Sequence, residues 1–226
     1  MCKKSIILMP HFDDEIFNAI SLLIKYSNPI SIYFTHQGDC ISRENYLKDI
    51  EDMNRVMEKL NKYRKENQKA PVTVEMYSDY NDVGRLSITE EWHEKLCRGI
   101  ETDIKNNEIE YFIIPSPSNH QAHKSCYNIG KSLLRAPYIN NNIQNILIGT
   151  YYVDKITPND LNESLCFHVP MKKEEVKFAV DLISLYTKNH AINPENIEVI
   201  FRYEGFTCSE EYAQSFYPYY IKHNLS

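Results

Sequence analysis

The chain has 226 residues, 42% of them hydrophobic and 25% charged, which suits one sizeable soluble domain and excludes both a disordered polymer and a disulfide-stapled miniprotein. Twenty-five Lys and Arg against 31 Asp and Glu leave a net charge of -6, which argues against a nucleic-acid partner, and no apolar run is long enough to cross a bilayer. From the N-terminus, Ser5 to Met9 reads as a first strand and Asp14 to Lys25 as a helix, with Ile16, Ile20, Leu23 and Ile24 at helical spacing. Ile30 to Thr35 is a second strand. About Glu44 to Lys65 is a long charged helix with Leu47, Ile50, Met53, Met57 and Leu60 as its apolar stripe and a solvated opposite face. Val72 to Tyr77 is a third strand, Ser78 to Leu86 a loop, and about Thr89 to Ile104 a helix. Tyr111 to Pro115 is a fourth strand, followed by a Pro/Ser/Asn loop and a helix running from His120 or His123 to Leu134. Ile146 to Tyr151 is a fifth strand, Leu165 to Val169 a further one, Lys172 to Tyr186 a helix and Glu210 to Phe216 a short helix.

This alternation predicts a Rossmann-like, three-layer α/β fold around a mostly parallel sheet. With no repeat or linker, residues 1–226 are expected to form one domain, with a core over about 1–155 and a C-terminal elaboration over 156–226. Cys2, Cys40, Cys97, Cys126, Cys166 and Cys208 make no C-x-x-C pair, so neither a zinc knuckle nor a thioredoxin-type motif is present. Lys3 and Lys4 precede only a short apolar stretch that breaks at Pro10, which does not read as a signal peptide. The expectation is a cytoplasmic protein with reduced thiols and no membrane insertion; a homo-oligomer is compatible with the sequence.

Ligands of open parallel sheets collect beyond the carboxyl ends of the strands. Those loops here are Pro10-His11-Phe12-Asp13-Asp14-Glu15, Thr35-His36-Gln37-Gly38-Asp39 and Ser118-Asn119-His120-Gln121-Ala122-His123. His11 and His123 can offer imidazole nitrogens and Asp14 a carboxylate, a set that leaves coordination positions free for water and substrate. Asp13 and Asp14 project about 100° apart on a helical turn, so one can bind metal while the other faces water. His120 and His123, three apart, share a helix face, so one can ligate while the other acts on substrate. The same acidic run would also complement a helix dipole with no catalytic role.

These motifs resemble those of the metal-dependent de-N-acetylases of the LmbE/PIG-L family, whose first motif is (A/P)-H-P-D-D-E and whose second is H-x-D-H or H-x-x-H. Thr35 to Asp39 is similar to that family's T-x-G-[ED], Lys48-x-x-Glu51 to its R-x-x-E, and Tyr212-Ala213-Gln214-Ser215-Phe216 to its Y-A-E-x-F. The resemblance implies zinc, or another divalent metal such as ferrous iron, on His11, Asp14 and His123. It further implies Asp13 as general base and His120 as oxyanion stabiliser or acid toward the leaving amine. The implied enzyme is an amidohydrolase that removes the acetyl or other acyl group from a small amino-sugar substrate of the N-acetylglucosamine type. Lys48, Asp39 and Asp82 are the expected substrate contacts. Phe12, Ala122, Lys48 and Gln214 depart from the family pattern without removing a ligand or the base; Lys for Arg replaces a bidentate fork by a point charge. Two other readings use the same residues: a non-haem iron oxygenase built on His11-Phe12-Asp13 with a distant His, and a non-catalytic scaffold.

Overall fold

A computed structural model describes residues 3–35, 43–76, 90–116, 121–134, 142–149, 166–187 and 194–221. The chain order is β1 (Lys3–Met9), α1 (Asp14–Lys25), β2 (Ile30–Phe34), α2 (Arg43–Glu66), β3 (Val72–Met76), α3 (Glu90–Asn106), β4 (Glu108–Pro115) and α4 (Gln121–Leu133). It continues with β5 (Ile143–Gly149), β6 (Phe167–Pro170), α5 (Lys173–Ile183), α6 (Pro194–Thr207) and β7 (Ala213–Ile221). The strands form one seven-stranded sheet in the order β3-β2-β1-β4-β5-β7-β6. β3 to β5 pair in parallel, and β7 joins β5 and β6 antiparallel. The expected Rossmann-like α/β architecture with a mostly parallel sheet is therefore present, and both C-terminal strands extend that same sheet.

Alternation along the strands separates the two helical layers, because successive side chains leave a strand on opposite faces. Ile7 and Met9 of β1, Ile32 and Phe34 of β2, and Leu147 of β5 enter one core with Ile16, Ile20 and Leu23 of α1 and Val176 and Ala179 of α5. Ile6 and Leu8 of β1, Ile114 of β4 and Ile148 of β5 enter the other, against Leu96 and Ile100 of α3 and Cys126 and Ile129 of α4.

Two expectations are corrected. The segment Glu210 to Phe216 is not a helix: from Ala213 onward it is β7, inserted between β5 and β6. Tyr212, Ala213, Gln214, Ser215 and Phe216 are all buried, and a strand covered on both faces has no apolar alternation to distinguish it from a short helix. The segment's missing helix lies upstream as α6, whose Ile197 and Phe201 face inward while Val199, Tyr203 and Phe206 face solvent, so no single apolar stripe marks it. The long helix α2 also differs from a simple stripe. Leu47 is exposed, whereas Asp52 and Arg64 are buried. Arg64 donates to the carbonyls of Leu23, Asn28 (3.0 Å) and Ala70 (2.6 Å), closing the C-terminal end of α1 and the turns before β2 and β3. Among the described residues no helix is long and apolar enough to cross a membrane.

Candidate metal centre

The sheet order places β1 between β2 and β4, so the chain leaves β1 toward β2 on one side and reaches β4 and β5 on the other. This is the switch point at which the loops after neighbouring strands diverge and open a crevice. The β1–α1 loop brings His11 and Asp13 to it, the first residue of α1 brings Asp14, and the start of α4, after β4, brings His123.

His11, Asp14 and His123 converge there, each offering a ligand atom within 4.8 Å of the others. Asp14 joins the two imidazoles: its Oδ2 lies 3.1 Å from His11 Nδ1 and its Oδ1 lies 3.5 Å from His123 Nε2. The His11 backbone N–H also donates to Asp14 Oδ2 at 3.0 Å. The rings of His11 and His123 are 5.3 Å apart and tilted by 49°. Burial works to raise the Asp14 carboxyl, but the positive charge of His123 and the hydrogen bond and charge of His11 outweigh it and hold the group below the usual carboxylate range. Two nitrogens and an anionic oxygen, largely withdrawn from water, form a donor set suited to zinc or another divalent ion.

Asp13 stands next to this set in a different environment. Burial first, then the charges of Asp14 and Glu15, push its carboxyl well above the ordinary value, against a hydrogen bond from the Asp14 backbone; Asp49 of α2 adds to the rise. Its backbone has φ of 104°, a region that residues with a Cβ rarely occupy and that clusters at functional sites. The Asp13 N–H donates to Glu15 Oε2 at 2.8 Å, and the Asp13 carbonyl accepts the Ile16 N–H at 2.9 Å to begin α1. Glu15 is fully buried; burial pushes its carboxyl up to about 7 although Tyr186 and backbone donors oppose the rise.

The supporting contacts explain why α1 sits where it does. Gly149 ends β5 against α1: a Cβ there would fall 2.6 Å from Asn18 Cβ and 2.7 Å from its carbonyl oxygen, so only glycine permits this approach. Asn18 in turn donates through Nδ2 to the Asp14 carbonyl at 2.8 Å. Cys126 of α4 is fully buried, and burial, with the nearby Asp14 charge, pushes its thiol well up, so that it stays protonated. Cys97, Cys126, Cys166 and Cys208 are free thiols.

Of the residues singled out from sequence, the structure brings His11, Asp13, Asp14 and His123 together. Lys48 lies exposed on α2, and its neighbour Asp49 is the one whose charge reaches Asp13. His120, Asp39 and Asp82 lie outside the described residues. Gln214, at the position where the family motif has Glu, bonds to α1 rather than to the triad. Sequence reasoning missed Tyr186 and Asp49. Nothing in the local pattern of either marks it, because each acts across elements distant in the chain.

No family model matches the chain, and no curated protein matches it. Solved structures do. The conserved protein TT1542 from Thermus thermophilus superposes with a TM-score of 0.67 at 13% identity, over 100% of this chain and 99% of that one. An N,N'-diacetylchitobiose deacetylase from Pyrococcus horikoshii, in complex with an inhibitor, gives a TM-score of 0.63 at 13% identity over 99% of this chain and 88% of that one. A deacetylase of teicoplanin biosynthesis, in complex with teicoplanin, gives 0.64 at 8% identity over 96% and 97%. At these identities the likeness establishes a shared fold over essentially the whole chain.

Proposed function

We propose that this protein is a metal-dependent hydrolase that removes an acetyl group from the amide nitrogen of an N-acetylated amino sugar or a small conjugate of one. The observation that carries the reading is the convergence of His11, Asp14 and His123 at the switch-point crevice with a second acid, Asp13, beside them. That two structures of the same fold are deacetylases, one named for diacetylchitobiose, supports the reaction class and the sugar. The motif resemblance to the LmbE/PIG-L family points the same way.

In this reading His11, Asp14 and His123 hold the metal. A zinc or other divalent ion there would polarise the amide carbonyl, acidify a water molecule and draw Asp13 back toward its carboxylate form. The carboxylate of Asp13 then takes the proton from the attacking water, and its strained backbone and the Glu15 contact hold it in place to do so. His120 is assigned to the tetrahedral intermediate and to protonation of the departing amine. The products are acetate and the free amino sugar. Lys48, with Asp39 and Asp82, is assigned to the sugar or to an anionic group on it, and the protein is assigned to the cytoplasm.

The iron-oxygenase reading needs Asp13 in the ligand set. The carboxylate that joins the two imidazoles is instead Asp14, which favours the hydrolase. The deciding experiment is a screen of zinc-loaded protein against N-acetylglucosamine, its glycosides and its phosphorylated or nucleotide-linked forms, reading released amine. Turnover of one of these is expected. Inactivity on all of them together with oxygen-dependent turnover in the ferrous form would overturn the reading.

A further inference from the structure

We propose that Tyr186, just past the end of α5, is a positioning residue for Asp13, acting through the buried carboxylate of Glu15. This rests on the reading of Asp13 as the general base. Tyr186 Oη donates to Glu15 Oε1 at 2.6 Å, and Glu15 Oε2 accepts the Asp13 backbone N–H at 2.8 Å. The relay thus begins 171 residues downstream of Glu15 and ends on the peptide that sets the direction of the Asp13 side chain.

Three features make this more than a buried contact. First, Asp13 occupies φ of 104°, and such a backbone persists only where its surroundings hold it there. The bond from its N–H to Glu15 Oε2, at 2.8 Å, anchors the peptide in that conformation. Second, Glu15 is 0% exposed, so without Tyr186 bulk solvent cannot take over the lost donor, and the Glu15 side chain must turn to find another partner, which loosens its hold on Asp13. Third, Tyr186 is itself fixed from the far side. The N–H and the hydroxyl of the next residue, Thr187, both donate to Asp52 Oδ2 of α2, at 2.8 and 2.7 Å. The turn after α5 is therefore clasped to α1 through Glu15 and to α2 through Asp52, which gives the C-terminal part of the chain a hold on the acid beside the metal ligands.

The test is a double-mutant cycle on the full-length, zinc-loaded protein, with kcat, KM and bound metal measured for wild type, Tyr186→Phe, Asp13→Asn and the double variant. Tyr186→Phe should keep stoichiometric metal, change KM less than about twofold and lower kcat by about 10- to 100-fold, the scale of a misplaced catalytic group. In the Asp13→Asn background the same substitution should cost nothing further in kcat. An equal loss in both backgrounds, or a change confined to KM, would overturn the proposal.

A second readout needs no turnover, so it separates failure of this relay from failure of the hydrolase reading. The Asp13 amide proton should move upfield and exchange faster with solvent in Tyr186→Phe and in Glu15→Gln, and 3-fluorotyrosine in place of Tyr186, a stronger donor of nearly unchanged shape, should shift it too. An Asp13 amide resonance that is indifferent to the residue at 186 would sink the relay, even if the protein proves to be an active deacetylase. If Tyr186→Phe does not fold, Glu15→Gln and the fluorotyrosine protein carry the same test.

Discussion

Gln214 donates through Nε2 to the carbonyl of Phe17 at 2.8 Å. Its Oε1 simultaneously accepts the N–H of Ser21 at 2.8 Å, so the side-chain amide bridges two backbone groups one turn apart in α1. Both partners are buried, and α1 is the helix that carries Asp14. The amide is the right group for this position because it both donates and accepts; a carboxylate only accepts. Gln214→Glu should therefore leave the Phe17 carbonyl facing an anion or force that acid to stay protonated, and destabilise the fold by about 1–3 kcal/mol. Urea denaturation of the two proteins checks this, and an unchanged midpoint would contradict it.

The ligand set leads to a second expectation. His11→Ala, Asp14→Ala and His123→Ala should each weaken metal binding severely, and Asp14→Ala most of all, because its carboxylate is the negative charge between both imidazoles. Elemental analysis of the folded variants measures it. Stoichiometric metal in the triple variant would place the ion elsewhere.

Asp13 is adjacent to the set but separate in role. Asp13→Asn should retain the metal and lose roughly 10²- to 10⁴-fold in turnover, the range for a general base. Loss of metal in this variant would exchange the assigned roles of Asp13 and Asp14.

The Asp52 clasp carries a pH signature. Burial raises its carboxyl, but the Thr187 backbone and hydroxyl donors and the Arg55 guanidinium outweigh burial and hold it below its usual 3.8. A carboxylate lowered in the folded state contributes stability that is present above its unfolded value and is lost as pH falls through its folded one. Asp52→Asn should thus be less stable than wild type at neutral pH, and the gap should shrink below pH ~4. Thermal unfolding across that range tests the sign; a gap that widens in acid would refute it.

How much of this is readable without the structure follows from the range of the interactions involved. Strands β1 to β5 and helices α1 to α5 announce themselves through short-range periodicity, and the run from His11 to Glu15 after an apolar strand announces a site, because both signals lie within one or two turns of chain. The pairing of that run with His123 is also legible, since in an open parallel sheet the loops after neighbouring strands meet at the same edge. Other features are decided only by tertiary packing. The run from Ala213 to Phe216 is a strand because β5 and β6 take up its hydrogen bonds on either side, and Ile197 and Val199 point in opposite directions because α6 is covered on one side only. The bond between Gln214 and Ser21 of α1 and the bond from Tyr186 to Glu15 join residues 193 and 171 apart. Which side chains meet at that distance is set by how the layers stack and by how closely Gly149 lets α1 approach the sheet, and neither leaves a periodic trace in the sequence.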